Sequence, residues 1–201
     1  MMHAERYNHL ARLLRRDEGG LTIVEFAIVA PVFLLLLMGS LDIGHTVYAQ
    51  SVLNGAVQSA ARDASLEGAD TDVADALVLA QVENVMPSVT LVTERTSYYD
   101  FADIERPEQF NDANADDTCN DGEAYVDENR NGRWDEDIGQ SGNGGANDVV
   151  IYSVEATYTP IVKVPFMDRV FGDRTLKSNA IRKNQPFARQ TEYSSEAGTC
   201  S

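Results

Sequence analysis

The chain has 201 residues, with 32 acidic side chains against 16 basic ones and a formal net charge of -16. That balance excludes a nucleic-acid partner, because phosphate binding needs a basic face, and it disfavours docking on anionic lipid headgroups. A solvated acidic surface, a calcium site or a basic protein partner stays open, and the length allows one domain with an appendage.

Residues 1–20 form a charged leader carrying Arg6, Arg12, Arg15 and Arg16 against Glu5, Asp17 and Glu18. From Leu21 to Leu41 the chain turns apolar, broken only by Thr22, Glu25 and Ser40. As a helix this run reaches about 30 Å, enough to cross the hydrocarbon core of a bilayer. The arginines before it and Asp42 after it predict a cytoplasmic N-terminus and an exported C-terminal part. Nothing else in the chain is hydrophobic enough to surround such a segment as a core helix. A cleaved secretory signal is the competing reading, with Val47-Tyr48-Ala49 as its small-residue site. That site lies far beyond the apolar run, and Glu25 is out of place inside a signal sequence. A carboxylate at that depth costs about 2.5–3.5 kcal/mol on insertion scales, so an anchor that keeps one has a use or a partner for it.

Gly20, then an apolar stretch with Glu25 at its fifth position and Phe26 at its sixth, resembles the processing site of pilins and pseudopilins. The longer string Glu18-Gly-Gly-Leu-Thr-Ile-Val-Glu-Phe-Ala-Ile-Val-Ala-Pro31, followed by Asp42-Ile-Gly44 and Ala60-Ala-Arg-Asp-Ala64, resembles the TadE family over about residues 18–65. These are pseudopilin-like proteins of the tight-adherence (Flp, type IV) pilus assembly machinery, a secretion system. Family members commonly have Glu-Phe-Gly where this chain has Asp42-Ile-Gly44. The resemblance implies cleavage between Gly20 and Leu21 by a prepilin peptidase. It implies that Glu25, beside Phe26, sets register by pairing with a neighbouring subunit's N-terminal amine. It also implies other pilin or pseudopilin subunits and an assembly platform as partners, in a bacterial inner membrane crossed once.

Beyond the membrane the helix continues over 42–66, with Ile43, Val47, Leu53, Val57, Ala60 and Ala64 as its apolar stripe. His45, Gln50, Asn54, Gln58 and Arg62 occupy the opposite face. Gly68 ends this helix and Asp70-Thr-Asp72 opens another that runs to about Met86. The stretch 42–86 thus reads as a helical stalk. Val89, Leu91 and Thr93 predict a strand. From Glu94 to Asp148 an Asp/Asn/Gly-rich insertion interrupts the fold. Strand character returns at Val149–Val162, with Val150, Tyr152, Val154, Ala156 and Tyr158 on one face, limited by Pro160 and Pro165. A last strand covers Thr175–Arg182, with Leu176 and Ala180 on one side. The expected class is α+β: a pilin-like N-terminal helix packed on a small antiparallel sheet, with 87–187 as the periplasmic domain, a loose polar tail from 188 and no internal repeat.

Within the insertion, Asp127-Glu-Asn-Arg-Asn-Gly-Arg-Trp-Asp-Glu-Asp137 follows the calcium-loop pattern D-x-[DN]-x-[DN]-G. Asp127, Asn129 and Asn131 take positions one, three and five, Arg133 offers its carbonyl at seven, and Asp135 falls at nine. Hard oxygen ligands at these offsets suit calcium. Position twelve is Ile138 where a bidentate glutamate belongs, and Asp137 is the nearest substitute. The competing reading is a metal-free Asx-rich turn. Cys119 and Cys200 form no CxxC; in an extracytoplasmic domain they either join in one disulfide or remain two unrelated thiols.

The histidines are His3, His9 and His45, two in the leader and one at the membrane surface, so the exported domain lacks a catalytic base. The glycine-rich run Gly139–Gly145 has no lysine and no strand-to-helix setting for a phosphate loop. The chain therefore reads as a structural minor pilin or pseudopilin and not an enzyme. The alternative is a permanently anchored, calcium-binding adhesion or sensor module, and the third and weakest is a protein secreted after cleavage at Ala49.

Overall fold

A computed structural model describes residues 19–66, 69–161, 172–191 and 194–200, with side chains from residue 22 onward. The leader to residue 18, Gly68 and Pro165 lie outside the described residues. The first element is one continuous helix, α1 (Gly19–Ala64), with Pro31 inside it. It starts before the expected processing point, so Gly19 and Gly20 are helical here. The chain divides into two compact units, and along α1 the division falls between Thr46 and Val47.

In the first unit the apolar run is bare. Ile23, Phe26, Ile28 and Leu36 are all strongly exposed, and α1 is long and apolar enough, by length and composition, to cross a membrane.

In the second unit α1 becomes a packing surface. Ala49, Leu53, Ala56, Val57, Ala60, Ala61 and Ala64 are buried. Five of these seven are alanines, which let a helix axis approach a sheet closely. Ile43 and Val47, expected on this stripe, are instead exposed at 63% and 62%. The buried apolar face begins only at Ala49. Of the expected outer face, Gln50 and Gln58 donate from their amides to the Lys177 and Asn179 carbonyls.

Helix α2 (Thr71–Glu83) starts where Asp70 caps it, its Oδ1 accepting from the Asp72 and Val73 amides at 2.9 and 3.2 Å. It ends short of the expected Met86, whose amide turns back to the Val82 carbonyl and whose side chain is fully buried.

Six strands follow among the described residues: β1 (Thr90–Tyr98), β2 (Ala124–Asp127), β3 (Gln140–Ser141), β4 (Val149–Tyr158), β5 (Arg174–Lys183) and β6 (Glu196–Thr199). One sheet is antiparallel in the order β3-β1-β4-β5 and a second pairs β2 with β6. The expected face of β4 holds: Val150, Tyr152, Val154, Ala156 and Tyr158 are buried, and the last four join α1 and α2 in the core. The pilin-like α+β arrangement is therefore present: a long N-terminal apolar helix packs its later turns on an antiparallel sheet. β1 runs to Tyr98, past the expected start of the insertion at Glu94, because pairing with β4 extends to Tyr98↔Val149.

Asp75 of α2 ties the helical layer to the sheet. Its carboxylate accepts from Arg95 of β1 at 2.5 and 3.1 Å, from the Tyr152 hydroxyl of β4 at 2.5 Å and from Thr93 at 2.9 Å. The Arg95 guanidinium stacks 4.1 Å from the Tyr152 ring centroid. Burial pushes the Asp75 carboxyl up, but the Arg95, Tyr152 and Thr93 hydrogen bonds outweigh it and hold the group below its ordinary range.

The C-terminal tail is not loose. β6 pairs with β2, Gly198 facing Tyr125 so closely that a Cβ there would strike the tyrosine ring. Cys200 is buried and bonded to Cys119 across 81 residues of sequence. The Cys200 amide donates to the Glu123 carbonyl at 2.8 Å, and the Gly122 amide donates to the Cys200 carbonyl at 3.1 Å.

Replacing Asp75 by alanine leaves Arg95 half-buried without its partner and is expected to cost about 2–4 kcal/mol, read as a lowered Tm. Because the native pKa of Asp75 is depressed, its contribution is fully present above about pH 4 and is lost as pH falls from there through the lowered native value. The acid limb of a stability-against-pH curve should flatten in Asp75→Asn. Reducing the disulfide is expected to cost up to about 4 kcal/mol by loop entropy. Hydrogen exchange should then rise over 196–200 while β4 and β5 keep their protection.

Candidate functional site

Two places carry chemistry that the fold does not consume. The first is the exposed start of α1. Glu25 and Phe26 lie on successive residues of its bare apolar half, both exposed, Phe26 at 70%. Gly20 and Leu21 belong to the helix, but their side chains lie outside the described residues.

The second is the acidic insertion. Arg106 holds its entrance, donating to both oxygens of Glu128 at 2.9 and 2.6 Å and to Asp103 at 3.1 Å. These contacts raise the Arg106 pKa, and the Arg106 hydrogen bond is the main cause of the lowered carboxyl pKa of Glu128. Residues 109–111 then pair with β2: the Asn111 amide donates to the Ala124 carbonyl and the Val126 amide to the Gln109 carbonyl, both at 2.8 Å. Phe110 meets Trp134 edge to face at 5.4 Å.

The expected calcium-type loop lies directly after β2. Asp127 is 5% exposed; its two oxygens accept from the Asn131 amide at 3.2 Å and the Gly132 amide at 2.8 Å. Asn131 Oδ1 accepts from the Arg133 amide at 2.8 Å. The polar ends of Asn129, Asn131 and Asp135 converge, with both amides 2.5–2.7 Å from Asp135 Oδ2. Gly132 has φ +78°, the left-handed conformation that favours glycine.

Asp137 does not join this loop. Tyr98 donates to its Oδ2 at 2.7 Å and the Gly139 amide to its Oδ1 at 3.0 Å, which turns it towards β1. The carboxylate closing the loop is Glu108, from outside the motif. Its side chain is 1% exposed and accepts from the Glu128 and Asn129 amides at 2.7 and 3.4 Å and from the Asp135 amide at 3.2 Å. Burial, with Asp127 adding like charge, pushes the Glu108 carboxyl up. No spacing rule within the motif points to a residue 19 positions before its start; only the pairing of residues 109–111 with β2 brings Glu108 there.

No three His, Cys, Asp or Glu side chains converge as a metal cluster among the described residues. The oxygen sets here mix carboxylate, amide and carbonyl, and the described cysteines are spent in the disulfide, so nothing offers zinc its usual sulfur or imidazole ligands. Trp134 Nε1 donates to the Glu108 carbonyl at 2.9 Å. Trp134→Phe is therefore expected to loosen the Glu108 segment at a cost of about 1 kcal/mol, seen as faster exchange of the Glu128 and Asp135 amides.

No curated protein and no solved structure matches the chain. A family model does, over most of α1: residues 20–62 match the family described as TadE-like protein, so the likeness lies in the long N-terminal helix.

Proposed function

We propose that the protein is a minor pilin or pseudopilin that takes part in assembling a tight-adherence (Flp-type) pilus at a bacterial inner membrane. The observation that carries the reading is the bare apolar half of α1, in the segment that matches the TadE-like family. A helix with Ile23, Phe26, Ile28 and Leu36 exposed needs lipid or neighbouring helices of its own kind around it. On this reading Gly20 and Leu21 flank the prepilin-peptidase cut. Glu25 then meets the new amine of an adjacent subunit, since each charge in hydrocarbon is costly without the other. Residues from Val47 onward present the exported domain, with the leader on the cytoplasmic side.

The second reading, a permanently anchored calcium-binding adhesion or sensor module, is favoured by the ordered loop at Asp127–Asp135 with Glu108 against it. Leader retention separates the two. Intact-mass analysis of the membrane-fraction protein, co-expressed with a cognate prepilin peptidase, should give a chain starting at Leu21. Gly20→Phe should abolish that product. Glu25→Ala should leave cleavage unchanged but reduce co-purification with other pilin subunits at least several-fold. A full-length chain with and without the peptidase would discard the pilin route and leave the anchored module.

A further inference from the structure

Within residues 108–138 three carboxylates are buried: Glu108 at 1%, Asp127 at 5% and Glu123 at 7% exposure. None of them forms an ion pair among the described residues, unlike Asp75, Asp103 and Glu128. Buried carboxylates without a cation are expensive. Glu108 and Asp127 flank one loop; Glu123 closes another that departs from the calcium-loop string at its sixth position.

That other loop is Asp112-Ala-Asn-Ala-Asp-Asp-Thr-Cys-Asn-Asp-Gly-Glu123. Asp112, Asn114, Asp116, Asn120 and Glu123 take positions one, three, five, nine and twelve of the calcium pattern, and Thr118 offers its carbonyl at seven. The pattern's glycine at six is absent, which hid the loop, but Asp117 there adopts φ +57° without it, as Gly132 does at φ +78°. Position four is also left-handed in both, Ala115 and Arg130 each at φ +60°.

The two loops repeat contact for contact. In each, the first aspartate accepts from the amides at five and six: Asp112 from Asp116 and Asp117, Asp127 from Asn131 and Gly132. In each, the side chain at five accepts from the amide at seven. Glu123 accepts from the amides at positions two and nine of its loop, Ala113 at 2.7 Å and Asn120 at 3.4 Å. Glu108 does the same for the other, from Glu128 at 2.7 Å and Asp135 at 3.2 Å. The expectation of no internal repeat is therefore corrected here, and the missing twelfth ligand of the second loop has a replacement from elsewhere in the chain.

We propose that residues 108–138 bind two calcium ions, one in Asp112–Glu123 and one in Asp127–Asp135, with Glu108 serving the second loop in place of Ile138. The side-chain ends at positions three, five and nine lie 2.5–3.3 Å apart in the two loops, the spacing of oxygens sharing one cation. Turning an asparagine amide over puts oxygen where nitrogen stands. The first ion also bears on the tail, because Cys119 lies at position eight of that loop and holds Cys200. The proposal stands apart from the assembly role, since it needs neither cleavage nor a filament.

The test uses the full chain in detergent micelles. Calorimetric titration with calcium should give two sites per chain, with Kd at or below about 1 mM. Trp134 is the single tryptophan and lies within the second loop, so its sensitisation of bound terbium reports that loop. Asp112→Asn should remove one site and keep the terbium signal; Asp127→Asn should remove the other site and the signal. Glu108→Gln should weaken terbium binding at least tenfold without touching the first site. Far-UV circular dichroism confirms that each variant is folded. Fewer than two saturable calcium sites up to about 10 mM would overturn the proposal, as would variants whose site count does not fall. Unchanged terbium affinity in Glu108→Gln would remove Glu108 from the second site.

Discussion

Backbone amides cannot lie in hydrocarbon unless they are hydrogen-bonded within their own segment, and a single continuous helix is the simplest way for one pass to meet that demand. α1 stays helical from Gly19 to Ala64, through Pro31. Its side chains change with their surroundings. Large apolar groups stay exposed along its early turns, and from Ala49 small ones turn inward against α2 and the sheet. The domain from Val47 onward depends on that helix, because its core is built on the later turns of α1.

The core itself is modest and rests on polar ties as well as apolar burial. Asp75 joins three secondary-structure elements through one carboxylate, and its charge is held by an arginine that also stacks on Tyr152. Next to it, Gln50, Gln58 and Arg182 tie the flank of α1 to β5. A surface charge of either sign could be lost from such a domain at little cost, whereas the partly buried Asp75 contacts fix which helix faces which strand.

The insertion solves a different problem. Residues 99–148 are too polar to build an apolar core of their own, so order comes from Asx-type turns, from pairing with β2 and β6 and from the disulfide between Cys119 and Cys200. Carboxylates buried among amide donors explain why this acidic stretch has defined backbone geometry.

Much of the architecture was legible in the residues. The unbroken apolar run with its early glutamate, the alternation of β4 and the capped start of α2 are local signals, because periodicity and capping depend on neighbours in sequence. The same holds for the D-x-N-x-N-G string at Asp127. What sequence could not decide was which distant residues meet. Ile43 and Val47 carry the right side chains for a buried stripe but lie before the turns that the sheet covers. The tail reads as loose because its partner, β2, lies some seventy residues away. The loop at Asp112 hides behind an aspartate doing a glycine's work, since a left-handed φ is a property of the folded backbone. Glu108 becomes the closing carboxylate of a loop 19 residues downstream only when residues 109–111 pair with β2. Sequence by itself determined the long apolar helix, the element types and the Asp/Asn/Gly pattern of the loop at Asp127; tertiary structure alone decided their partners, because burial and long-range pairing are set by contacts between residues far apart in the chain.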